Sequence, residues 1–171
     1  MLNLLVRKSL LFIVLVLLQV LFLDNVLLGK IINPYLYIFF LITLPVDTKG
    51  WLLLLFAFVL GAITGMFTNT AGFHAAACLL LAFSRPYVLK MMSPREGFEA
   101  GVEPSPADFG LRRFMLYSTI LVVIHHFALF YIQVMRFSEF FFTLKKATLS
   151  SMITLALVII TAYLVQSPKR K

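Results

Sequence analysis

The sequence predicts an all-helical integral membrane protein with six transmembrane helices and with both chain ends on the inner side of the membrane. Three observations lead to this prediction: the composition, the length of the apolar segments and the placement of the basic residues. Of the 171 residues, 61% are hydrophobic and 13% are charged, whereas a soluble domain is about half apolar and about a quarter charged. A soluble core of this size cannot hide so much apolar surface, but lipid solvates it.

Apolar segments of the length that a membrane helix needs recur along the chain. A spanning helix takes about 20 residues, with a range of about 17 to 25. The segments that we assign to helices are residues 9–28, 33–46, 51–67, 73–89, 114–135 and 148–166. The second segment is short and carries Pro34 and Pro45 near its ends, so a thin, tilted or re-entrant element is the alternative there.

The distribution of Lys and Arg favours six crossings. With the N-terminus inside and six helices, eleven Lys and Arg residues fall on the inner side and four on the outer side. If the second segment did not cross, the split would be five inside and ten outside, against the positive-inside rule. The one long inner loop, residues 90–113, is rich in Pro and Gly and is expected to lack stable helix.

The net charge of +8 does not point to nucleic acid, because the basic residues lie in the gaps between apolar segments rather than on one polar face. That pattern is typical of topology signals and of contacts with lipid head groups. The sequence has no catalytic motif and only seven acidic residues, which argues against an enzyme. It also gives no reason to expect a cofactor.

Small residues follow one face of the third predicted helix and continue into the fourth. Ala57, Gly61 and Gly65 recur every four residues, a spacing that lets a second helix backbone approach closely. Gly72 lies in the turn that follows, and His74 opens the next helix. Two interpretations remain open: internal packing of a helical hairpin, or a docking groove for the transmembrane helix of a partner.

Polar residues also occur within the apolar segments, where exposure to lipid is costly. Thr119, His126 and Gln133 are spaced seven apart and therefore share one helix face, and His125 is adjacent. Neighbouring histidines on a helix point about 100° apart, so a shared metal ion is not expected. We expect hydrogen bonds between helices instead, with Gln19 of the first helix as the partner.

Arg85 and Pro86 lie where the fourth predicted helix reaches the inner face. We expect Arg85 to anchor to lipid phosphates, and Pro86 to end the helix.

The order of several short motifs resembles a known family. The carriers are Asn33-Pro34-Tyr35, the hairpin from Gly61 to Ala75, Ala82-Phe-Ser-Arg85-Pro86, Pro94-Arg95-Glu96-Gly97 and His125-His126-Phe127. Together they resemble the bacterial rod shape-determining MreD family, in the version found in Bacteroidetes-type bacteria. Members often carry an Asp at the place of Gly65, so this chain departs from the family pattern there.

The resemblance implies a non-enzymatic protein of the bacterial inner membrane that supports peptidoglycan synthesis and cell shape. It implies binding to the transmembrane helix of MreC, in a system with RodA, a penicillin-binding transpeptidase and MreB. The family fold is similar to the six-helix substrate-binding components of energy-coupling-factor transporters. A small-molecule-binding component of a transporter is therefore the alternative, and it needs a cavity with convergent polar groups. A lipid-acting enzyme that uses His125 or His126 is a third hypothesis.

Overall fold

A computed structural model describes residues 2–25, 31–70, 72–135 and 137–165, and within these ranges the fold contains helices and no β-strand. The helices are α1 (Leu2–Leu21), α2 (Phe39–Ile42), α3 (Gly50–Phe67), α4 (Phe73–Met92), α5 (Pro106–Phe109), α6 (Leu111–Val134) and α7 (Phe140–Val165), with 3₁₀ turns at Leu23–Asn25, Leu36–Ile38 and Phe137–Glu139.

Five helical stretches among the described residues are long and apolar enough to cross a membrane. They are Val6–Asn25, Gly50–Phe67, Phe73–Met92, Leu111–Val134 and Phe140–Val165. The chain is therefore a multi-pass helical membrane protein. Residues 26–28 of the first predicted helix and residue 166 of the last lie outside the described residues.

Several helix ends differ from the sequence prediction, and α1 already begins at Leu2 rather than at residue 9. Helix α4 continues through Pro86 to Met92, so the prediction that Pro86 ends the helix is wrong. Proline is tolerated within membrane helices because neighbouring groups satisfy the carbonyl that it leaves free. Helix α7 starts at Phe140 rather than at residue 148. The basic pair at Lys145 and Lys146 thus belongs to the helix, where long side chains can reach the membrane surface.

The prediction that the second segment forms a continuous helix is wrong. Residues 33–46, which we call the central segment, form only the 3₁₀ turn and the four-residue helix α2, too short for a spanning helix. Thr43 ends α2 by turning its hydroxyl back to the carbonyls of Phe39 and Phe40, and Pro45 cannot continue the helix. All the side chains from Tyr35 to Ile42 are buried, so the segment packs against protein on every side.

The central segment runs antiparallel to α1. Gln19 bonds to the backbone at its start, at Pro34 and Leu36, and Lys8 bonds to the Thr43 carbonyl near its end. Gln19 and Lys8 are eleven residues apart, which is about 16 Å along a helix. The segment therefore extends from one end of the bundle toward the other.

Helices α3 and α4 form a close hairpin that covers the central segment, and α6 and α7 pack in succession beside α4. The hairpin is close because Gly61 has no side chain: a Cβ atom there would lie 2.5 Å from the Ala75 Cα atom. The loop between α4 and α6 holds the short helix α5, capped by the Ser105 side chain. This corrects the expectation of a loop without helix.

Candidate functional site

The polar side chains of the bundle gather around the central segment. The Tyr37 hydroxyl lies 2.8 Å from His74 Nδ1 and 2.9 Å from His125 Nε2. The Cys78 thiol lies 3.9 Å from the same hydroxyl. All four side chains are buried, with at most 1% exposure. The Tyr37 hydroxyl thus occupies the point on which the two imidazole rings converge.

The hydrogen-bond pattern assigns the protons in this cluster. His125 Nδ1 has no partner, and a buried N–H without a partner is rarer than a buried acceptor without one. His125 therefore carries its proton on Nε2 and donates it to the Tyr37 oxygen. The Tyr37 hydroxyl in turn donates to His74 Nδ1. Both rings are neutral in this arrangement.

His126 belongs to a second chain of hydrogen bonds. Its Nδ1 lies 2.9 Å from the Val122 carbonyl, and its Nε2 lies 3.0 Å from the Thr154 hydroxyl. A carbonyl only accepts, so Nδ1 carries the proton and Nε2 accepts from Thr154. The Thr154 oxygen also accepts from the Tyr35 backbone N–H at 3.0 Å. His126 is therefore fixed between α6, α7 and the start of the central segment.

Gln19 holds the start of the central segment rather than His126. Its side-chain nitrogen donates to the Pro34 carbonyl at 3.0 Å and to Asp24 at 2.7 Å, and its oxygen accepts from the Leu36 N–H at 2.9 Å. The prediction that Gln19 pairs with His126 is wrong. Because the central segment is bent, its backbone has N–H and C=O groups that a regular helix would pair internally. The Gln19 side-chain amide bonds to these groups instead.

Arg85 holds the other end of the segment. It is 1% exposed, and its Nε donates to the Tyr117 hydroxyl at 2.8 Å. Its terminal nitrogens donate to the carbonyls of Leu44 and Pro45, and Tyr117 donates to the Ile42 carbonyl at 3.0 Å. The guanidinium thus pairs with carbonyls that the end of a helix leaves without partners. The prediction that Arg85 anchors to head groups is wrong.

A sequence signal for the burial of Arg85 exists in the helix period. Arg85 follows His74 by eleven residues, or about three turns, so both residues lie on one face of α4. Cys78 and Leu81 complete that buried face. The sequence offers no comparable signal for Tyr37, whose role depends on residues 37 and 88 positions away.

The loop between α4 and α6 docks on the same end of the bundle as Arg85. Oε2 of Glu103 lies 2.7 Å from Arg7 and 2.9 Å from Lys8, and the Val46 N–H donates to the Val102 carbonyl at 3.0 Å. The Lys8 side chain is 11% exposed and that of Glu103 is 20% exposed. Glu103 therefore fastens the loop to α1.

The predicted partner groove is filled by the protein itself. Ala57, Gly61 and Gly65 are buried in the α3–α4 hairpin, and His74 is buried against Tyr37. Gly72 is exposed in the turn with φ +93°, a conformation that favours glycine. The interpretation as internal packing fits these positions, and the docking groove as predicted is wrong.

The three residues of the predicted polar face of α6 differ in burial. His126 is buried, whereas Thr119 and Gln133 are half-buried. Thr119 borders an open cavity of about 210 Å³, which we call the α6–α7 groove. The residues that line the groove are Thr119, Val122, Val123, Phe127, Thr148, Ser151, Met152 and Leu155.

Within the described ranges, no group of three or more His, Cys, Asp and Glu side chains is placed to hold a metal ion. Comparison of the chain with protein-family models, with characterised proteins and with solved structures finds no match.

Proposed function

We propose that the chain is a non-enzymatic scaffold of the bacterial inner membrane that resembles MreD and serves the cell-wall elongation complex. It binds the transmembrane helix of MreC and so supports peptidoglycan synthesis and cell shape. In this proposal the chain crosses the membrane six times, with the central segment as the second, short crossing and both ends in the cytoplasm. The antiparallel course of that segment along α1 supports the sixth crossing.

The observation that carries the proposal is that the polar side chains around the central segment bond to the protein itself. Tyr37, His74 and His125 bond to one another, His126 bonds to Thr154, and Gln19 bonds to the central segment. A catalyst or a carrier of polar molecules needs such groups directed at its substrate. In this chain the polar side chains hold the bent central segment in place. A bundle fixed in this way suits a scaffold that binds partners through its outer surface.

The partner surface in this proposal is the lipid-facing side of α1. Among the described spans α1 is the least buried, and Leu10, Ile13, Leu17 and Leu21 are each more than half exposed along one face. Because lipid tails are as apolar as leucine, a partner gains from close packing on such a face rather than from leaving lipid.

Affinity capture from membranes of the native host tests both the function and the surface. Mass spectrometry of the gently solubilised complex is expected to find MreC, together with RodA, a penicillin-binding transpeptidase or MreB. The double variant Leu10→Ala with Leu17→Ala is expected to lose most of the MreC. The control, Leu55→Ala with Phe58→Ala on the lipid face of α3, is expected to retain it.

Different results would contradict the scaffold function and the partner surface on α1. Equal capture of MreC by both variants would move the partner surface away from α1 but keep the function. Recovery of a pair of transport ATPases and a coupling membrane subunit would overturn the scaffold function in favour of a transporter component. A small molecule retained through purification would point the same way.

A further inference from the structure

An exposed lysine lies one helical turn before the α6–α7 groove, on the face of α7 that lines it. On α7 the groove is lined by Thr148, Ser151, Met152 and Leu155, which share one helix face because they are three, four and seven residues apart. Lys145 is three residues before Thr148 on that face and is exposed. The adjacent Lys146 is directed elsewhere, since its ammonium lies 4.8 Å from the centre of the Phe130 ring.

The depth of this surface matches one leaflet of a bilayer. From Lys145 to Leu155 is ten residues, or about 15 Å along α7, which is half of the hydrocarbon thickness of about 30 Å. From Lys145 to Val165 is twenty residues, or about the full thickness. When Val165 is at one membrane surface, Lys145 is therefore at the other, with the groove extending from it to the midplane.

The size of the groove favours a thin hydrocarbon chain over a helix. One turn of a helix with its side chains, about 10 Å wide and 5.4 Å long, occupies about 400 Å³. That is twice the 210 Å³ of the groove, so a helix could insert only side chains there, whereas part of an acyl chain fits inside. A cavity of about 150 Å³ already holds a benzene molecule. An acyl chain is narrower than a helix and, like the groove, extends through a single leaflet.

The charge at the mouth of the groove favours an anion. In the part of the chain that the structure describes, the ion pairs are those of Glu103 with Arg7 and Lys8, and none involves Lys145. An exposed ammonium at the membrane surface attracts the phosphate of an anionic lipid. Groove and lysine thus match the two halves of one phospholipid molecule.

We propose that the α6–α7 groove binds an acyl chain of an anionic phospholipid from the leaflet at the Lys145 end, whose phosphate pairs with the Lys145 ammonium. This site is independent of the scaffold function and of the α1 surface.

Native mass spectrometry of the delipidated protein tests the site, with phosphatidylglycerol and phosphatidylcholine of identical chains as probes. The protein is expected to bind one phosphatidylglycerol about fivefold more tightly than phosphatidylcholine, since one basic residue at the surface contributes about 1 kcal/mol. Lys145→Gln is expected to abolish this preference. Lys90→Gln, the same change at an exposed lysine of α4, is expected to keep it.

A second pair of variants tests the groove itself. Thr148→Leu extends a longer, fully apolar side chain into it and is expected to weaken the binding of both lipids. Ala156→Leu adds still more bulk to the exposed surface of α7 outside the groove and is expected to leave both unchanged. Thermal unfolding of each variant verifies that it is folded.

Three results would overturn the site. One is equal affinity of the unmodified protein for the two lipids. Another is undiminished lipid binding by Thr148→Leu. The third is a dimer of the chain, or a bound partner helix, that Thr148→Leu dissociates while lipid binding stays the same.

Discussion

The substitution Gly61→Ala tests whether the α3–α4 hairpin is internal packing. The added Cβ atom would lie 2.5 Å from the Ala75 Cα atom, 2.6 Å from the His74 carbonyl oxygen and 2.7 Å from the Ala75 nitrogen. All three are backbone atoms, so no side-chain rotation relieves the clash. Carbon atoms prefer a separation of about 3.5 to 4.0 Å, and the two helices must therefore separate by about 1 Å.

The expected cost follows from the overpacking of close interiors. Inserting one carbon into a tightly packed core costs about 1–3 kcal/mol, and we expect the upper end because α4 must move as a body. A loss of ~3 kcal/mol corresponds to a lower unfolding temperature by about 6–12 °C for a chain of this size.

The single cysteine supplies the assay. Cys78 lies on α4 close to the contact and is fully buried, so a thiol-reactive fluorophore labels it only when the bundle opens. Labelling is followed in detergent as the temperature rises. The control is Gly50→Ala at the start of α3, where an added Cβ atom meets nothing within 4 Å. Equal labelling temperatures for the two variants would refute the close approach of α3 and α4 at Gly61.

Three further predictions concern the ends and the middle of the central segment. Arg85→Met leaves the buried carbonyls of Leu44 and Pro45 without their donor, each worth about 1–3 kcal/mol; the Cys-labelling temperature should fall strongly, whereas it should hardly change for Arg112→Met at an exposed site. Tyr37→Phe removes the hydroxyl between two imidazole rings and should cost about 2 kcal/mol, and an unchanged labelling temperature would contradict a stabilising role for its two hydrogen bonds. Glu103→Gln weakens the attachment of the loop between α4 and α6 and should speed tryptic cleavage after Arg95 severalfold in detergent, without changing the labelling temperature. Cleavage at the original rate would show that the ion pairs do not hold the loop.

The close approach at Gly61 shows what a spacing pattern leaves open. The repeat of Ala57, Gly61 and Gly65 indicates a surface that another backbone can approach, but it does not say whose backbone. The fold supplies α4 of the same chain, because the short turn before Phe73 returns the next helix directly onto that face. The exposed face of α1 carries no such pattern.

The burial of Arg85 shows that the sequence also leaves open which groups a charged side chain will contact. Near the end of an apolar helix, an arginine is most simply expected at the lipid head groups. The central segment changes this outcome, since its bend leaves the carbonyls of Leu44 and Pro45 without helical partners at the level of Arg85. A buried cation is tolerable where such groups surround it.

The sequence by itself determined that this chain is a multi-pass helical membrane protein, and it located the long apolar helices to within several residues. It could do so because transfer into lipid depends on the summed hydropathy of about 20 neighbouring residues, which is a local property. Only the tertiary structure decided that the central segment is not a regular helix, that His74 and Arg85 are directed inward, and which partners His126 and Gln19 bond to. Those outcomes depend on hydrogen-bond partners from distant parts of the chain, and buried polar groups in a membrane must find such partners wherever the fold provides them.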